Sequence, residues 1–144
     1  MECCVFCDIL AGRADGTLVH RDATVSVLMD IQPVNAGHML VVSNVHAPGL
    51  KELGPDVAAE MFRVAHRMAL ALRAGELPCD GVNLFLADGA AAMQEVFHVH
   101  LHVIPRLSGD GFGFRFDASY FERPTRADLE TAAEKVRRAV SSLR

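Results

Sequence analysis

The sequence predicts an α+β fold with a largely antiparallel sheet. Three observations support this fold class: short apolar segments rich in β-forming residues, two longer segments with apolar residues at helical spacing, and short turns between them. The 144 residues are 51% hydrophobic and 22% charged, with no internal repeat, low-complexity run or composition break. We therefore expect a single domain over residues 1–144.

Two neighbouring strands are predicted in the first third of the chain. Residues 24–29 and 39–42 are short, apolar and rich in β-forming residues. The stretch IQPVNAG between them contains Pro33, Asn35 and Gly37, which are typical turn residues. We expect the two segments to lie side by side in one sheet.

Two helices are predicted further along. Residues 55–73 have Pro55 near a helix start and are followed by Gly75, which favours a helix end. Apolar residues recur there at helical spacing at Val57, Met61, Val64, Ala65, Met68 and Leu72. Residues 125–143 show similar spacing at Leu129, Ala132, Ala133, Val136, Ala139 and Val140. The first helix should pack on the sheet, and the second should close the chain.

Another strand is predicted at residues 82–87. The stretch DGAAAMQ is predicted to be a loop, and FHVHLHVIP at residues 97–105 is predicted to be the next strand. Side chains alternate between the two faces of a strand, so His98, His100 and His102 should share one face, about 6.6 Å apart. Val99, Leu101 and Val103 should pack on the opposite face. They fix the register, because a slip of one residue would send the histidines into the core.

The histidine row is a chemically capable surface. Imidazole is nucleophilic, transfers protons and binds metals near neutral pH. A single histidine on a half-exposed strand would be an ordinary surface residue, whereas three in strict alternation favour a function. The zinc-protease spacing on a helix is absent. The residues alone support either a metal cluster or nucleophilic catalysis at phosphorus, and they do not choose between the two.

Charge and hydropathy narrow the function classes. A net charge of -4 argues against general binding to nucleic acid or to an anionic membrane, which requires a basic face. The start, MECCVFCDIL, lacks the basic and long apolar regions of a secretory signal, and no apolar run approaches the roughly 20 residues that a bilayer span needs. We expect a cytoplasmic protein.

Three of the four cysteines, Cys3, Cys4 and Cys7, lie within the first seven residues. A disulfide there would constrain little of the chain, and in a reducing compartment metal binding is the better interpretation. Cys4 and Cys7 form a CxxC pair, which is a weak signal without two further ligands. Cys79 stands alone and is expected to be a passive thiol.

HVHLHVIPR, with Gln94 four residues before its first histidine, resembles the His-x-His-x-His signature of the histidine triad (HIT) superfamily. CVFCDILAG, LMDIQPVNAGHMLVVSNVH and SGDGFGF resemble matching stretches of bacterial zinc-containing HIT hydrolases, in the same order. The resemblance covers about residues 1–115. It implies a HIT-like fold with about five mostly antiparallel strands, one long central helix and a C-terminal helix.

The resemblance implies a nucleotide hydrolase or nucleotidyltransferase that acts on a purine nucleotide of the AMP or GMP type. His100 would attack the α-phosphorus of a nucleoside phosphoramidate or dinucleoside polyphosphate, and water would release the nucleoside monophosphate from a covalent nucleotidyl-histidine. His102 would donate a hydrogen bond to a non-bridging phosphate oxygen. His38, from the adjacent strand, and Gln94 complete the implied catalytic set.

Family members hold the nucleoside between an N-terminal apolar segment and an aspartate at a strand end. By resemblance, the base contacts are Phe6, Ile9, Leu28 and Ile31, although their spacing is equally compatible with ordinary core residues. Asp30 would accept hydrogen bonds from the ribose hydroxyls, and a buried carboxylate there would be costly without partners. The other implied nucleotide contacts are Asn83, Gly89, Gln94, Glu95, His100 and His102.

Similar bacterial proteins hold one structural zinc with a Cys2His2 set. On this chain the set is Cys4, Cys7, His46 and His98. Four ligands would close the coordination shell and leave no position for a reactive water, so the ion would be structural. Neither an organic cofactor nor a nucleic-acid or membrane partner is expected. HIT proteins are usually homodimers with a sheet that extends across the two-fold axis, and we expect a homodimer here.

The chain departs from the family pattern in the loop before the triad. Active members commonly carry Asn eleven residues before the first histidine, and Gly-Gln-Ser or Gly-Gln-Thr shortly before it. This chain has Ala87, and Met93, Gln94 and Glu95, at those positions. A carboxylate at 95 would repel an anionic substrate if it faced the phosphate. The alternative function is therefore a nucleotide-binding or partner-binding protein with weak or residual hydrolysis.

Overall fold

The structure is a computed structural model that describes residues 4–143. The chain divides into two compact units, the first ending at Gly111 and the second beginning at Phe112. The single domain over residues 1–144 stays a prediction. No helix among the described residues is long and apolar enough to cross a bilayer. Cys3, which belongs to the N-terminal cysteine group, lies outside the described residues.

The first unit is an antiparallel five-stranded sheet with two helices, which confirms the predicted α+β fold. Its helices are α1 (Val5–Leu10) and α2 (Pro55–Ala74). The strands are β1 (Leu18–Arg21), β2 (Val25–Met29), β3 (Met39–Ser43), β4 (Gly81–Leu86) and β5 (His100–Arg106). The spatial order is β1-β2-β3-β5-β4, and every neighbouring pair is antiparallel. β5 therefore lies inside the sheet, between β3 and β4.

The two faces of the sheet carry different apolar clusters. On one face the long helix α2 packs against the strands, and this cluster contains Val25, Val27, Met39, Val41, Met61, Val64, Leu101 and Val103. On the other face Phe6 of α1 packs with Leu28, Leu40 and Val42. Since residues alternate along a strand, His100 and His102 share the face that α1 contributes to.

Two features differ from the sequence prediction. β5 starts at His100, so His98 lies before the strand and not inside it as predicted. The His98 N–H donates to the Val96 carbonyl, and the Val99 N–H donates to the Ala47 carbonyl, so bonds to loop residues replace the strand ladder there. The predicted loop DGAAAMQ contains a 3₁₀ turn at Ala90–Ala92.

The second unit contains a 3₁₀ turn at Ala118–Phe121 and the helix α3 (Arg126–Ser142), which matches the helix predicted at residues 125–143. Thr125 caps α3: its hydroxyl accepts the Asp128 N–H, and the Asp128 carboxylate accepts the Thr125 N–H. Phe116 and Tyr120 stack with ring centroids 3.8 Å apart. These contacts give the second unit local order of its own.

Candidate active site and metal centre

The candidate active site lies on the α1 face of the sheet, at the start of β5. His100 is in register with Val42 and His102 with Leu40, so β3 supports both histidines from one side. The ring of Phe6 contacts His100 edge-on, with centroids 5.2 Å apart. Phe85 of β4 lies beside His102, with centroids 5.9 Å apart. The two histidine rings are themselves 4.9 Å apart.

One nitrogen of His100 is held by the main chain. Its Nδ1 is 2.7 Å from the backbone carbonyl oxygen of His98, and a carbonyl only accepts, so Nδ1 carries the proton. The Nε2 atom of a neutral ring then keeps its lone pair, as a nucleophile requires. Only 8% of the residue is exposed, so solvent reaches a small part of it.

A directed chain of hydrogen bonds leads to His102. The Val34 N–H donates to Nδ1 of His38 over 3.2 Å, which leaves the His38 proton on Nε2. This Nε2–H donates to Nδ1 of His102 over 2.9 Å. The remaining proton of neutral His102 is therefore on Nε2, the nitrogen that can donate to a substrate oxygen.

Burial, together with the neighbouring His100 and His38, lowers the pKa of His102 to about 4, against an opposing effect of Asp30. Burial also lowers the pKa of His38, again against an opposing effect of Asp30. Both rings are therefore neutral near pH 7, in agreement with the hydrogen-bond directions.

Asp30, His38 and His102 offer three ligand atoms within 4.8 Å of one another, which raises the question of a metal site. The Val34 N–H argues against one. It occupies the Nδ1 lone pair of His38, so Nε2 carries the proton and has no electron pair for an ion. This group is better described as a hydrogen-bond relay.

Cys4, Cys7, His46 and His98 form a second group whose ligand atoms also lie within 4.8 Å of one another. Nδ1 of His98 is 3.3 Å from Cys4 Sγ, 3.6 Å from Cys7 Sγ and 3.3 Å from His46 Nδ1. Cys7 Sγ is 3.5 Å from His46 Nδ1. Tetrahedral zinc with Zn–S of about 2.3 Å and Zn–N of about 2.0–2.1 Å separates neighbouring donors by roughly 3.3–3.8 Å. The donor set is compatible with zinc.

The hydrogen bonds around His98 prepare it as a ligand. Its Nε2–H donates to the Ser43 carbonyl over 2.8 Å, so the lone pair is on Nδ1, the atom that faces both sulfurs. Burial lowers the pKa of His98, which keeps the ring neutral near pH 7. Burial, with Cys4 next, raises the pKa of the Cys7 thiol, so a metal would have to displace a proton there.

The loop before the triad is held together by Gln94, which is buried. Its Nε2 donates to the carbonyls of Pro48 and Val96, over 2.8 and 3.1 Å, and its Oε1 accepts the Gly89 N–H over 2.7 Å. These contacts commit the amide to the main chain, so Gln94 orders the loop. Glu95 next to it is exposed.

The implied base contacts do not form one group. Phe6, Leu28 and Ile9 belong to one apolar cluster, in which Phe6 and Leu28 are buried. Ile31 is 95% exposed and lies outside that cluster. Asn83 is exposed and accepts a hydrogen bond from Arg106, which also pairs with Asp110. Contact of these residues with a nucleotide stays a prediction.

An apolar cavity of about 270 Å³ lies on the opposite face of the sheet, beside the end of α2. Met39, Met68 and Leu72 contribute to its walls, and Glu76 is the one ionisable residue that lines it. The cavity contains no nucleophile and no histidine, so we place no chemistry there.

Comparison with known proteins decides the family. A family model of the HIT domain matches residues 11–109. The chain belongs to the HIT family. An uncharacterized HIT-like protein of Mycobacterium tuberculosis is 41% identical over 107 residues, which is 74% of each chain. A plant HIT relative, the adenylylsulfatase HINT3 of Arabidopsis thaliana, is 35% identical over 107 residues, 74% of this chain and 54% of that protein.

Solved HIT structures share the fold. A HIT family protein from Bacillus anthracis has a TM-score of 0.86 at 34% identity, covering 96% of this chain and 97% of that one. A Zn-bound histidine triad family protein from Mycobacterium smegmatis has a TM-score of 0.74 at 38% identity, covering 90% of this chain and 96% of that one. A histidine triad nucleotide-binding protein from Candida albicans has a TM-score of 0.83 at 26% identity, covering 96% and 98%.

The main-chain groups that orient the histidines are not predictable from the sequence. The Val34 N–H, the Ser43 carbonyl and the His98 carbonyl each determine which nitrogen of a histidine carries its proton. Any residue type supplies such a group, so no side-chain signature exposes it. The alternation of histidines and the CxxC pair were the available signals, and they located the rings without their proton positions.

Proposed function

We propose that the protein is a HIT hydrolase that cleaves purine nucleoside phosphoramidates or dinucleoside polyphosphates at the α-phosphate. The observation that carries the proposal is the 2.7 Å hydrogen bond from His100 Nδ1–H to the His98 carbonyl, which leaves Nε2 as the nucleophile. Membership of the HIT family and similarity to an adenylylsulfatase and a nucleotide-binding protein support this class of activity.

In the proposed first step, the Nε2 lone pair of His100 forms a bond to the α-phosphorus. The bond from phosphorus to the leaving group breaks, and the leaving group takes the electron pair and acquires a proton from water. The Nε2–H of His102 donates to a non-bridging phosphate oxygen as negative charge builds. Asp30 accepts hydrogen bonds from the ribose hydroxyls.

In the second step, water attacks the phosphorus of the nucleotidyl-histidine. The nitrogen–phosphorus bond breaks, the attacking water gives up a proton to solvent, which replaces the one that the leaving group took, and the nucleoside monophosphate leaves. His100 is restored with its Nδ1–H still hydrogen-bonded to the His98 carbonyl. A structural zinc held by Cys4, Cys7, His46 and His98 would cross-link α1 to the segments that flank β3 and β5. Its closed shell would supply no water for the reaction.

The test is incubation with an adenosine phosphoramidate and with a diadenosine polyphosphate. Release of AMP is expected from the wild type and not from His100→Ala, and quenching in alkaline denaturant, in which the nitrogen–phosphorus bond is stable, should trap a nucleotidyl group on the wild-type chain. His66→Ala is the matched control, because His66 is exposed on α2, and it should keep full activity. Equal AMP release by wild type and His100→Ala would refute the proposal.

A second candidate is a nucleotide-binding or partner-binding HIT protein with weak hydrolysis. Met93 and Glu95 favour it, since they replace the small and hydroxyl residues that flank the glutamine in active members. Micromolar nucleotide binding without turnover would support it.

Glu95→Ser tests the repulsion directly. The side chain is exposed, so solvent screens its charge and we expect a rise in turnover of no more than about fivefold at low salt, shrinking as salt is added. Glu76→Ser, an exposed change beside the cavity on the opposite face, should leave turnover unchanged. Identical turnover in wild type and Glu95→Ser would remove the repulsion argument.

A further inference from the structure

Asp30 is held in place by two hydrogen bonds at the end of β2. Its N–H donates to the His38 carbonyl over 3.0 Å, which continues the pairing of β2 with β3. Its Oδ1 accepts the Gln32 N–H over 2.8 Å. Only 15% of the side chain is exposed, so the carboxylate has a defined position.

The second carboxylate oxygen of Asp30 faces the histidine relay. Oδ2 is 3.4 Å from Nε2 of His38 and 3.8 Å from Nδ1 of His102. These are the two atoms that share the relay proton over 2.9 Å. A ribose contact by itself would not require the carboxylate to lie against both imidazoles.

The Val34 N–H directs the relay by leaving the His38 proton on Nε2, and the surrounding charge adds to this preference. Nε2–H of His38 points at His102, and a negative charge beside that N–H stabilises the arrangement. The ionisable groups that face His102 are His100 on its own strand, His38 on β3 and Asp30 after β2; its contact from β4 is the uncharged Phe85. Asp30 is therefore the one anion among the groups that face the ring.

We propose that Asp30 is a positioning residue for His102: its carboxylate holds the His38 Nε2 proton on the His102 Nδ1 lone pair, so that His102 presents Nε2–H to the substrate phosphate. This role rests on the proposed hydrolase function and adds to ribose recognition. Because one carboxylate serves both, loss of Asp30 impairs turnover even for a substrate that has no ribose hydroxyls.

The first experiment needs no substrate. The ¹⁵N chemical shifts of the His102 ring report which nitrogen carries the proton and how much of the ring is protonated between pH 4 and 7. Asp30 raises the pKa of His102, so Asp30→Asn should reduce the protonated fraction near pH 4 and disturb the Nε2–H tautomer near pH 7. If the His102 ¹⁵N shifts of Asp30→Asn equal those of the wild type both near pH 4 and near pH 7, the proposal is overturned.

Asp22→Asn is the matched control. Asp22 also accepts backbone N–H groups, from Thr24 and Val25, and also lies beside a histidine, with Oδ2 3.3 Å from His20 Nε2. It does not contact the relay, so the His102 shifts should match those of the wild type. If Asp30→Asn loses its folded spectrum, Asp30→Glu replaces it: the charge stays but the carboxylate moves by one methylene, so the His102 ring shifts near pH 7 should still change, and unchanged shifts would overturn the proposal.

The second experiment separates positioning from ribose binding. A 2′,3′-dideoxyadenosine phosphoramidate lacks the hydroxyls that Asp30 would bind, so a ribose role alone predicts equal kcat for wild type and Asp30→Asn. The positioning role predicts that the kcat of Asp30→Asn for this substrate is about tenfold lower than that of the wild type. Equal kcat would refute it. Should the wild type hydrolyse no substrate at all, the hydrolase proposal fails, and the His102 shifts still decide whether Asp30 controls the relay.

Discussion

The backbone carbonyl of His98 accepts the Nδ1 proton of His100 over 2.7 Å, while the His98 side chain faces Cys4, Cys7 and His46. One residue therefore belongs to the candidate metal centre through its ring and to the nucleophile through its main chain. Because β5 begins only at His100, the position of this carbonyl is not fixed by the strand ladder. Two other contacts hold it: the Val99 N–H of the same peptide unit donates to the Ala47 carbonyl over 2.8 Å, and the ring of His98 is held by its partners.

We predict that protein purified without chelators carries about one zinc ion per chain, and that Cys7→Ser carries less than half an equivalent. Binding at a hundred times the dissociation constant stabilises a fold by about 2.7 kcal/mol, so loss of the ion should lower the free energy of unfolding by at least about 2 kcal/mol. Metal analysis and denaturant unfolding measure the two effects.

Cys79→Ser is the control for the zinc prediction. The Cys79 thiol donates to the Gly81 carbonyl over 3.2 Å and is not part of the four-residue group, so zinc content should be unchanged. Less than half an equivalent of zinc in the wild type would count against the site.

The sequence predicted which cysteines and histidines lie together better than it predicted the elements around them. The bounds of helix α2 were predicted to within a residue because its amphipathic pattern runs over twenty residues. Helix α1 was not predicted, because it has only six residues and no side-chain cap. Strand β1 was missed because its four residues are mostly exposed and show no apolar alternation. The side chains of α1 were nevertheless assigned to the site, on the strength of CxxC and family resemblance.

The position of His98 shows a second limit. Alternation correctly puts His98 and Val99 on opposite sides, since Val99 belongs to the α2 cluster and the His98 ring lies beside Phe6. Alternation cannot, however, tell a strand from the extended segment before it. That distinction depends on which main-chain groups find partners, here Val96 and Ala47, and these lie in loops whose path the sequence pattern does not determine.

The folded protein should lose stability as the pH falls because of His102, whose pKa is lowered to about 4. Between about pH 6.5 and 4 the unfolded chain binds a proton at this residue and the folded chain does not, so the folded state is progressively disfavoured in that window. The full effect is on the order of 3 kcal/mol. Denaturant unfolding at pH 7 and pH 4.5 measures it.

His102→Asn isolates this contribution, because His38 and His98 also have lowered pKa values and persist in the variant. The variant should lose less stability than the wild type between pH 7 and 4.5, whatever their difference at pH 7. Parallel pH profiles for the two proteins would show that His102 titrates alike in the folded and unfolded chains.

Gln94→Glu should destabilise the protein by about 2 kcal/mol or more. A glutamate accepts hydrogen bonds but does not donate when ionised, so the carbonyls of Pro48 and Val96 would lose their donor and face a negative charge. Gln32→Glu is the matched control, because that side chain is exposed, and it should change the free energy of unfolding by less than about 0.5 kcal/mol. Equal stability of both variants would mean that the Gln94 amide does not order the loop.

Met93→Gly should stabilise the protein. Among residues 4–143, Met93 is the non-glycine residue with positive φ, and its φ and ψ are 67° and 28°. Because 71% of the residue is exposed, little packing compensates for this backbone conformation. A left-handed residue with a Cβ costs about 1–2 kcal/mol, and the greater freedom of glycine in the unfolded chain offsets part of that. A net gain of about 0.5–1 kcal/mol in unfolding free energy is expected. Ala91→Gly, on the same turn at negative φ, should instead lower stability. If both changes destabilise the protein equally, the turn at Met93 stores no strain, and the methionine in place of the family's glycine has no cost to the fold.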